Sequence, residues 1–192
     1  MSKKALITGI AGNDGPYLAR YLLDQGYTVV GLVRQNSQRN FDFIAEFQLE
    51  SVKIIEGDIN DPTSMNNIIA EEKPDEIYNL AAMSHPGLSY SQPLATIHTT
   101  GIAVLNILEA IKHISPNTKL CHISSSDIFA NTDISPQNEL SKTIPNSPYG
   151  AAKILAHNLV DLYRREYNLF TCNAICYGHE SPRRSRSEER FS

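Results

Sequence analysis

The stretch KALITGIAGNDGPYLARYLLDQGYTVVGLV, residues 4–33, decides the fold. KALITG (4–9) is a short, nearly continuous apolar run of strand length. DGPYLARYLLDQG (14–26) places Leu18, Tyr21, Leu22 and Gln25 at helical spacing and closes on Gly26. YTVVGLV (27–33) is a second strand, rich in β-branched residues. Gly9, Gly12 and Gly15 stand between the first strand and the helix, with Asn13 and Asp14 inside the same turn. Glycines there let the backbone turn tightly and come close to a phosphate, which the free N–H groups of a helix N-terminus attract. A glycine trio alone can be a plain tight turn; between a first strand and a first helix it reads as a dinucleotide-binding turn.

The alternation continues outward. SVKIIEGD (51–58), DEIYNLAA (75–82), KLCHISSS (119–126) and LFTCNAICY (169–177) read as strands. DPTSMNNIIAEE (61–72), PLATIHTTGIAVLNILEAIKHI (93–114) and SPYGAAKILAHNLVDLYRREY (147–167) read as helices. Pro62 follows Asp61, and Ser147 precedes Pro148, both good helix starts. Apolar strands alternating with helices predict an α/β, doubly wound parallel sheet of the NAD(P)-binding Rossmann type. The predicted domain covers residues 1–184, followed by an irregular tail over 185–192.

The 192 residues are 41% apolar and 20% charged, ordinary globular values that argue against disorder. The net charge of −4 argues against a general nucleic-acid binder. The apolar stretches are short and interrupted, so no segment is expected to cross a bilayer, and the N-terminus lacks the pattern of a signal peptide. A cytoplasmic protein without membrane or nucleic-acid partners is the expectation. Cys121, Cys172 and Cys176 have no paired spacing, which suits reduced thiols in strands rather than disulfides or metal ligands, and no metal site is predicted.

Four features narrow the chemistry. The second strand ends in GLVRQNS, so Arg34 stands where an acidic residue would bind the ribose 2′-hydroxyl of NAD. A guanidinium suits a 2′-phosphate, and with Arg39 nearby it favours NADP. Asp58 either accepts from the adenine amino group or caps the next turn. YGAAK puts Tyr149 and Lys153 at i and i+4 on one helix face, where a lysine charge is expected to lower the phenol pKa and make Tyr149 usable as a base. SSSD, from Ser124 to Asp127, is an unusual way to leave a strand and calls for a chemical reason.

Together these features resemble the extended short-chain dehydrogenase/reductase superfamily. ITGIAGNDGPYLARYLLDQGY, GDINDP, KPDEIYNLAAMSH, NILEAI, SPYGAAK and especially HESPRR resemble its GDP-mannose 4,6-dehydratase family, from about Lys4 to Arg184. The resemblance implies bound NADP and GDP-mannose as substrate. The implied reaction is C4 oxidation, loss of water across C5 and C6, and hydride return to C6, giving the 4-keto-6-deoxy sugar. It implies catalytic roles for Ser125, Asp127, Tyr149 and Lys153, with Ser125 at a threonine position and Asp127 at the position of the glutamate base. It implies cofactor contacts at Asp58, Ile59, the stretch 80–84 (Leu80, Ala81, Ala82, Met83, Ser84), Tyr149, Lys153, His179 and Arg184. Gln35 replaces a second arginine, Ala95 a tyrosine beside the cofactor, and IFA a Leu-Tyr-Gly.

Family members continue past HESPRR into a smaller domain for the nucleotide-sugar, so a C-terminally truncated enzyme is expected. They assemble through helix pairs like 93–114 and 147–167, which implies a homodimer or tetramer. The competing expectations are a related sugar-nucleotide epimerase or reductase, and an inactive NADP-binding fragment or pseudoenzyme.

Overall fold

The computed structural model describes residues 2–34, 42–179 and 181. Strands β1 (Lys4–Thr8), β2 (Thr28–Val33), β3 (Lys53–Glu56), β4 (Glu76–Asn79), β5 (Lys119–Ser125) and β6 (Thr171–Cys176) pair in parallel, in the order β3-β2-β1-β4-β5-β6. The order reverses direction between β1 and β4. At that switch point a crevice opens beyond the carboxyl ends of the strands, where doubly wound sheets hold ligands.

Helices α1 (Gly15–Asp24) and α2 (Asp42–Glu46) accompany the first half of the sheet. Later come α3 (Pro62–Glu72), α4 (Pro86–Ser91), α5 (Pro93–Thr96), α6 (Ala103–Ile114) and α7 (Pro148–Glu166). The central strands are buried on both faces. Leu6, Val30, Ile77 and Leu120 join a core with Met65, Ile107, Leu108 and Val160 from α3, α6 and α7. Ala5, Ile7, Val29 and Val33 face the other way, onto Ala19, Leu22, Phe43 and Leu49. This two-sided burial explains why the strands read as apolar runs rather than alternating patterns.

Helix boundaries follow local chemistry. Asp61 accepts from Thr63 N at 2.8 Å and caps α3, with Pro62 in its first turn. Ser147 accepts from Gly150 N at 3.0 Å and caps α7, again ahead of a proline. Gly26 has φ +79°, the left-handed geometry that closes the α1 region. Tyr21, at helical spacing in the sequence, is 60% exposed; Ala19 and Leu22 carry the packing face.

Several expectations need correction. Strand β3 is confined to four half-exposed residues because it lies at the sheet edge. The short helices α2 and α4 lie in segments to which the sequence pattern assigned no element. Residues 93–114 do form one continuous helical run, but Ile97–Ile102 is a π-segment between α5 and α6. There a Cβ on Gly101 would stand 3.0 Å from Leu155 Cδ2 and 3.2 Å from the Ala152 carbonyl of α7. The run Pro93–Ile114 is also long and apolar enough to cross a membrane, contrary to the expectation that no segment is. Its apolar residues have another use: Ala103, Val104, Ile107, Leu108 and Ile111 are buried in the core against α3 and α7. The tail 185–192, with Gln35, Arg39 and Arg184, lies outside the described residues.

Candidate active site

A cleft of about 910 Å³ runs along the carboxyl ends of the strands. One side is the glycine turn. Gly12 N donates to the Gly9 carbonyl at 2.9 Å, closing the turn onto the N-terminus of α1. Gly9 has φ +71°, and a Cβ there would approach Ala81 N to 2.9 Å. A Cβ on Gly15 would fall 2.3 Å from the Ile10 carbonyl oxygen. Both glycines are therefore demanded by the backbone. Ala11, Gly12, Asn13 and Asp14 face the cleft with exposed surface at the N-terminus of α1.

The opposite side is built by β5 and α7. Strand β5 delivers SSSD into a 3-10 turn, Ser126–Phe129. The three serines have separate tasks. Ser124 is 2% exposed and pairs with His157 Nδ1 at 3.2 Å, inside the sheet–helix interface. Ser125 accepts from Asp127 N at 3.2 Å and so caps the turn. Ser126 and Asp127 line the cleft. Gly150 then lets α7 approach this turn: a Cβ on it would meet the Asp127 carbonyl at 2.9 Å and Pro145 Cβ at 3.0 Å. That close approach brings Tyr149 beside Ser125 and Asp127.

Lys153 is 4% exposed and donates from Nζ to the Ile123 carbonyl at 2.6 Å. Its Nζ lies 5.8 Å from the centre of the Tyr149 ring. Burial pushes the lysine down to about 8, with Cys176 and Asp127 pulling it back up. The expected lowering of the Tyr149 phenol is not found. Tyr149 is 7% exposed, and burial raises its pKa; a hydrogen bond with Ser125 pulls down, while the Asp127 charge pushes further up. Desolvation of the phenolate is the leading cause and sets the sign of the shift.

Of the residues singled out in the sequence, Gly9, Gly12, Asn13, Asp14, Gly15, Arg34, Ile59, Leu80, Ala81, Ala82, Ser84, Ser125, Asp127, Tyr149, Lys153 and His179 all line this one cleft. Asp58 does not. Its Oδ1 accepts from Asn60 N and Asn60 Nδ2, each at 2.9 Å, which is the turn-capping alternative. Ala95 is exposed on α5 and away from the cleft wall. His179 reaches back across the cleft mouth, its Nε2 3.1 Å from Asp14 Oδ1 and its Nδ1 2.8 Å from the Tyr177 carbonyl. Met83, inside the stretch 80–84, lines the cleft as well, while the sequence reading missed Thr99 and Cys176 there. Thr99 arrives through the π-segment, and Thr100 beside it accepts from Met83 N at 3.1 Å. Nothing in IHTTGI announces a π-turn, so no sequence signal pointed there.

A parallel sheet with a glycine turn at its switch point, facing a Tyr-x-x-x-Lys helix across one cleft, defines the short-chain dehydrogenase/reductase class. The family model for GDP-mannose 4,6 dehydratase matches residues 6–191, and the chain belongs to that family. It is 38% identical over 195 residues to GDP-mannose 4,6-dehydratase of Vibrio cholerae, covering 97% of this chain and 52% of the relative. It is 41% identical over 189 residues to the Homo sapiens GDP-mannose 4,6 dehydratase, covering 94% and 51%. The chain thus spans about half the length of the curated relatives it matches. Among solved structures, UDP-glucose 4-epimerase of Brucella ovis in complex with NAD superposes with a TM-score of 0.81 at 21% identity, over 91% of this chain and 51% of the other. The dTDP-glucose 4,6-dehydratase of Streptomyces venezuelae gives 0.80 at 24%, over 90% and 55%. These likenesses show the fold.

Proposed function

We propose that this chain carries the dinucleotide and proton-transfer half of an NADP-dependent GDP-mannose 4,6-dehydratase. The observation that carries the reading is the convergence of Ser125, Asp127, Tyr149 and Lys153 at one end of a cleft whose other wall is the glycine turn. The residues suit a dinucleotide. The α1 N-terminus offers N–H groups to a pyrophosphate, and Arg34 at the end of β2 offers charge to a 2′-phosphate. NADP bound there would take the hydride from C4 of the sugar and later return it to C6.

The protein residues then move protons. Tyr149 accepts the proton of the C4 hydroxyl, Ser125 hydrogen-bonds the same oxygen, and Lys153 supplies positive charge beneath. Oxidation at C4 makes the C5 proton acidic. Asp127 takes that proton and passes it to the departing C6 hydroxyl, so water leaves; a proton added at C5 with the returning hydride at C6 balances the one Tyr149 took, with no net redox change. GDP-mannose as substrate, a homodimer or tetramer, and a cytoplasmic site of action belong to the same reading, supported by family membership.

The test is turnover of the mass-verified chain with GDP-mannose and NADP, read by product mass. Loss of one water from the sugar supports the reading. NADP binding without product favours the second reading, a nucleotide-binding fragment, which the half-length coverage of its relatives specifically suggests. Tyr149→Phe should retain NADP and lower turnover at least a hundredfold, on the scale of a lost general base.

A further inference from the structure

Hydrogen bonds across the middle of the sheet have one consistent direction. Ala81 N donates to Thr8 Oγ1 at 3.2 Å, and the Thr8 hydroxyl in turn donates to Asn79 Oδ1 at 2.6 Å. With Oδ1 accepting, Asn79 presents its Nδ2 donors to His122 Nδ1 at 3.0 Å. His122 Nδ1 must then accept, so the neutral ring carries its proton on Nε2. The ring is 1% exposed, and burial holds its pKa well below the ordinary value, with Lys153 and His157 of α7 adding to the effect. Among the described residues Nε2–H has no partner.

Nδ1 is taken by Asn79 of β4, and the strand on the other side of β5 is β6. The register partner of His122 on β6 is Asn173. Asn173 donates from Nδ2 to the His157 carbonyl at 3.1 Å, while its Oδ1 is buried and also without a partner. One orphan is a donor and the other an acceptor, on paired residues of adjacent strands. Orphans of this kind are rare in folded proteins, and complementary pairs too far apart to touch are where buried water binds.

We propose that His122 Nε2 and Asn173 Oδ1 form a one-water site closed between β5, β6 and α7. The water accepts from His122 and donates to Asn173. Ser124, two residues along the same face of β5, offers a third polar atom, in keeping with the roughly three bonds such waters make. The site ends a polar rail that starts at Ala81 in the cleft wall and crosses β1, β4, β5 and β6. It ties β5, which leads into Ser125 and Asp127, to its neighbouring strands. It stands independently of the cofactor and substrate reading.

Nitrogen and proton NMR of the His122 ring in the purified protein tests the site. The expected result is an Nε2-protonated tautomer whose proton exchanges slowly and shows cross-relaxation with a long-lived water. Asn173→Leu should remove the water contact and leave the tautomer, which Asn79 sets. An Nδ1-protonated ring, or a direct Nε2–H bond to Asn173 without water contact, overturns the proposal. Should Asn173→Leu fail to fold, a high-resolution crystal structure of the unaltered protein decides. Density for a water within about 3 Å of both atoms supports the site, and direct contact or a dry gap overturns it.

Discussion

Lys153 shows what a single buried charge costs this molecule. Its pKa falls from 10.5 to about 8 on folding, chiefly through burial. The unfolded chain therefore binds more protons than the folded one between those values, and stability rises with pH across that window. At pH 7 the full cost applies, about 3 kcal/mol for a shift of this size. Lys153→Met should be more stable than the parent at pH 7 in urea titrations. That advantage should shrink as the pH rises from 8 toward 10.5. Tyr149 makes a second residue-scale prediction. Its phenol is raised above 10 by burial, so the base form is scarce at neutral pH. If the chain turns over, kcat/KM should climb about tenfold per pH unit from pH 6 to 8. A plateau in that range would mean a phenol pKa lowered as Tyr-x-x-x-Lys alone suggests. The spacing of Tyr149 and Lys153 was legible in the sequence, but the sign of the shift was not. Burial comes from the 3-10 turn and α7 closing over the ring, and neither contact is written in YGAAK.

At the scale of elements, the glycines separate into two kinds. Gly9, Gly12 and Gly15 were legible because their spacing between strand and helix has a known physical use. Gly150 and Gly101 were not, because each is demanded by an element distant in sequence: the Asp127 carbonyl in one case, α7 in the other. Gly15→Ala should be severe, since the added Cβ would lie 2.3 Å from a backbone oxygen that cannot swing away. Thermal or urea unfolding should show a loss of about 3 kcal/mol, the upper range for overpacking. Gly101→Val should cost about 1–3 kcal/mol by the same mechanism. The Leu155 side chain can yield there, so the milder end is expected. The strand and helix pattern was readable because burial on both faces leaves an apolar imprint. Helices α2 and α4 were missed because five or six residues are too few to display a helical period.

Across the whole molecule, Glu72 links the β3 edge of the sheet to β1 in its middle. It is 5% exposed at the end of α3 and bonds Lys53 of β3 at 2.5 Å and Lys4 of β1 at 3.3 Å. The Lys53 hydrogen bond leads in holding its pKa below the ordinary 4.5. A lowered carboxylate contributes stability that is complete above the unfolded value and lost as the pH falls through the folded one. Glu72→Gln should therefore destabilise the protein at neutral pH and flatten its stability curve below about pH 4.5. The parallel, doubly wound sheet followed from the alternation of apolar strands and helices in the sequence. Three-way pairings such as Lys4–Glu72–Lys53 did not, since any of the chain's many surface charges fits the same text.

The π-segment Ile97–Ile102 has a consequence for insertions and deletions in this gene. A π-turn is a helix holding one residue more than its α-helical path requires. Deleting one residue between 97 and 102 would restore regular pitch without shortening the span between α5 and α6. Length variants at this spot would then be tolerated by the core and express as folded protein. They would differ in which side chains meet the cleft, because Thr99 would rotate off its wall and Thr100 away from Met83 N. A frame-preserving loss of three nucleotides would thus read as silent in a solubility screen and appear only in one that measures ligand binding.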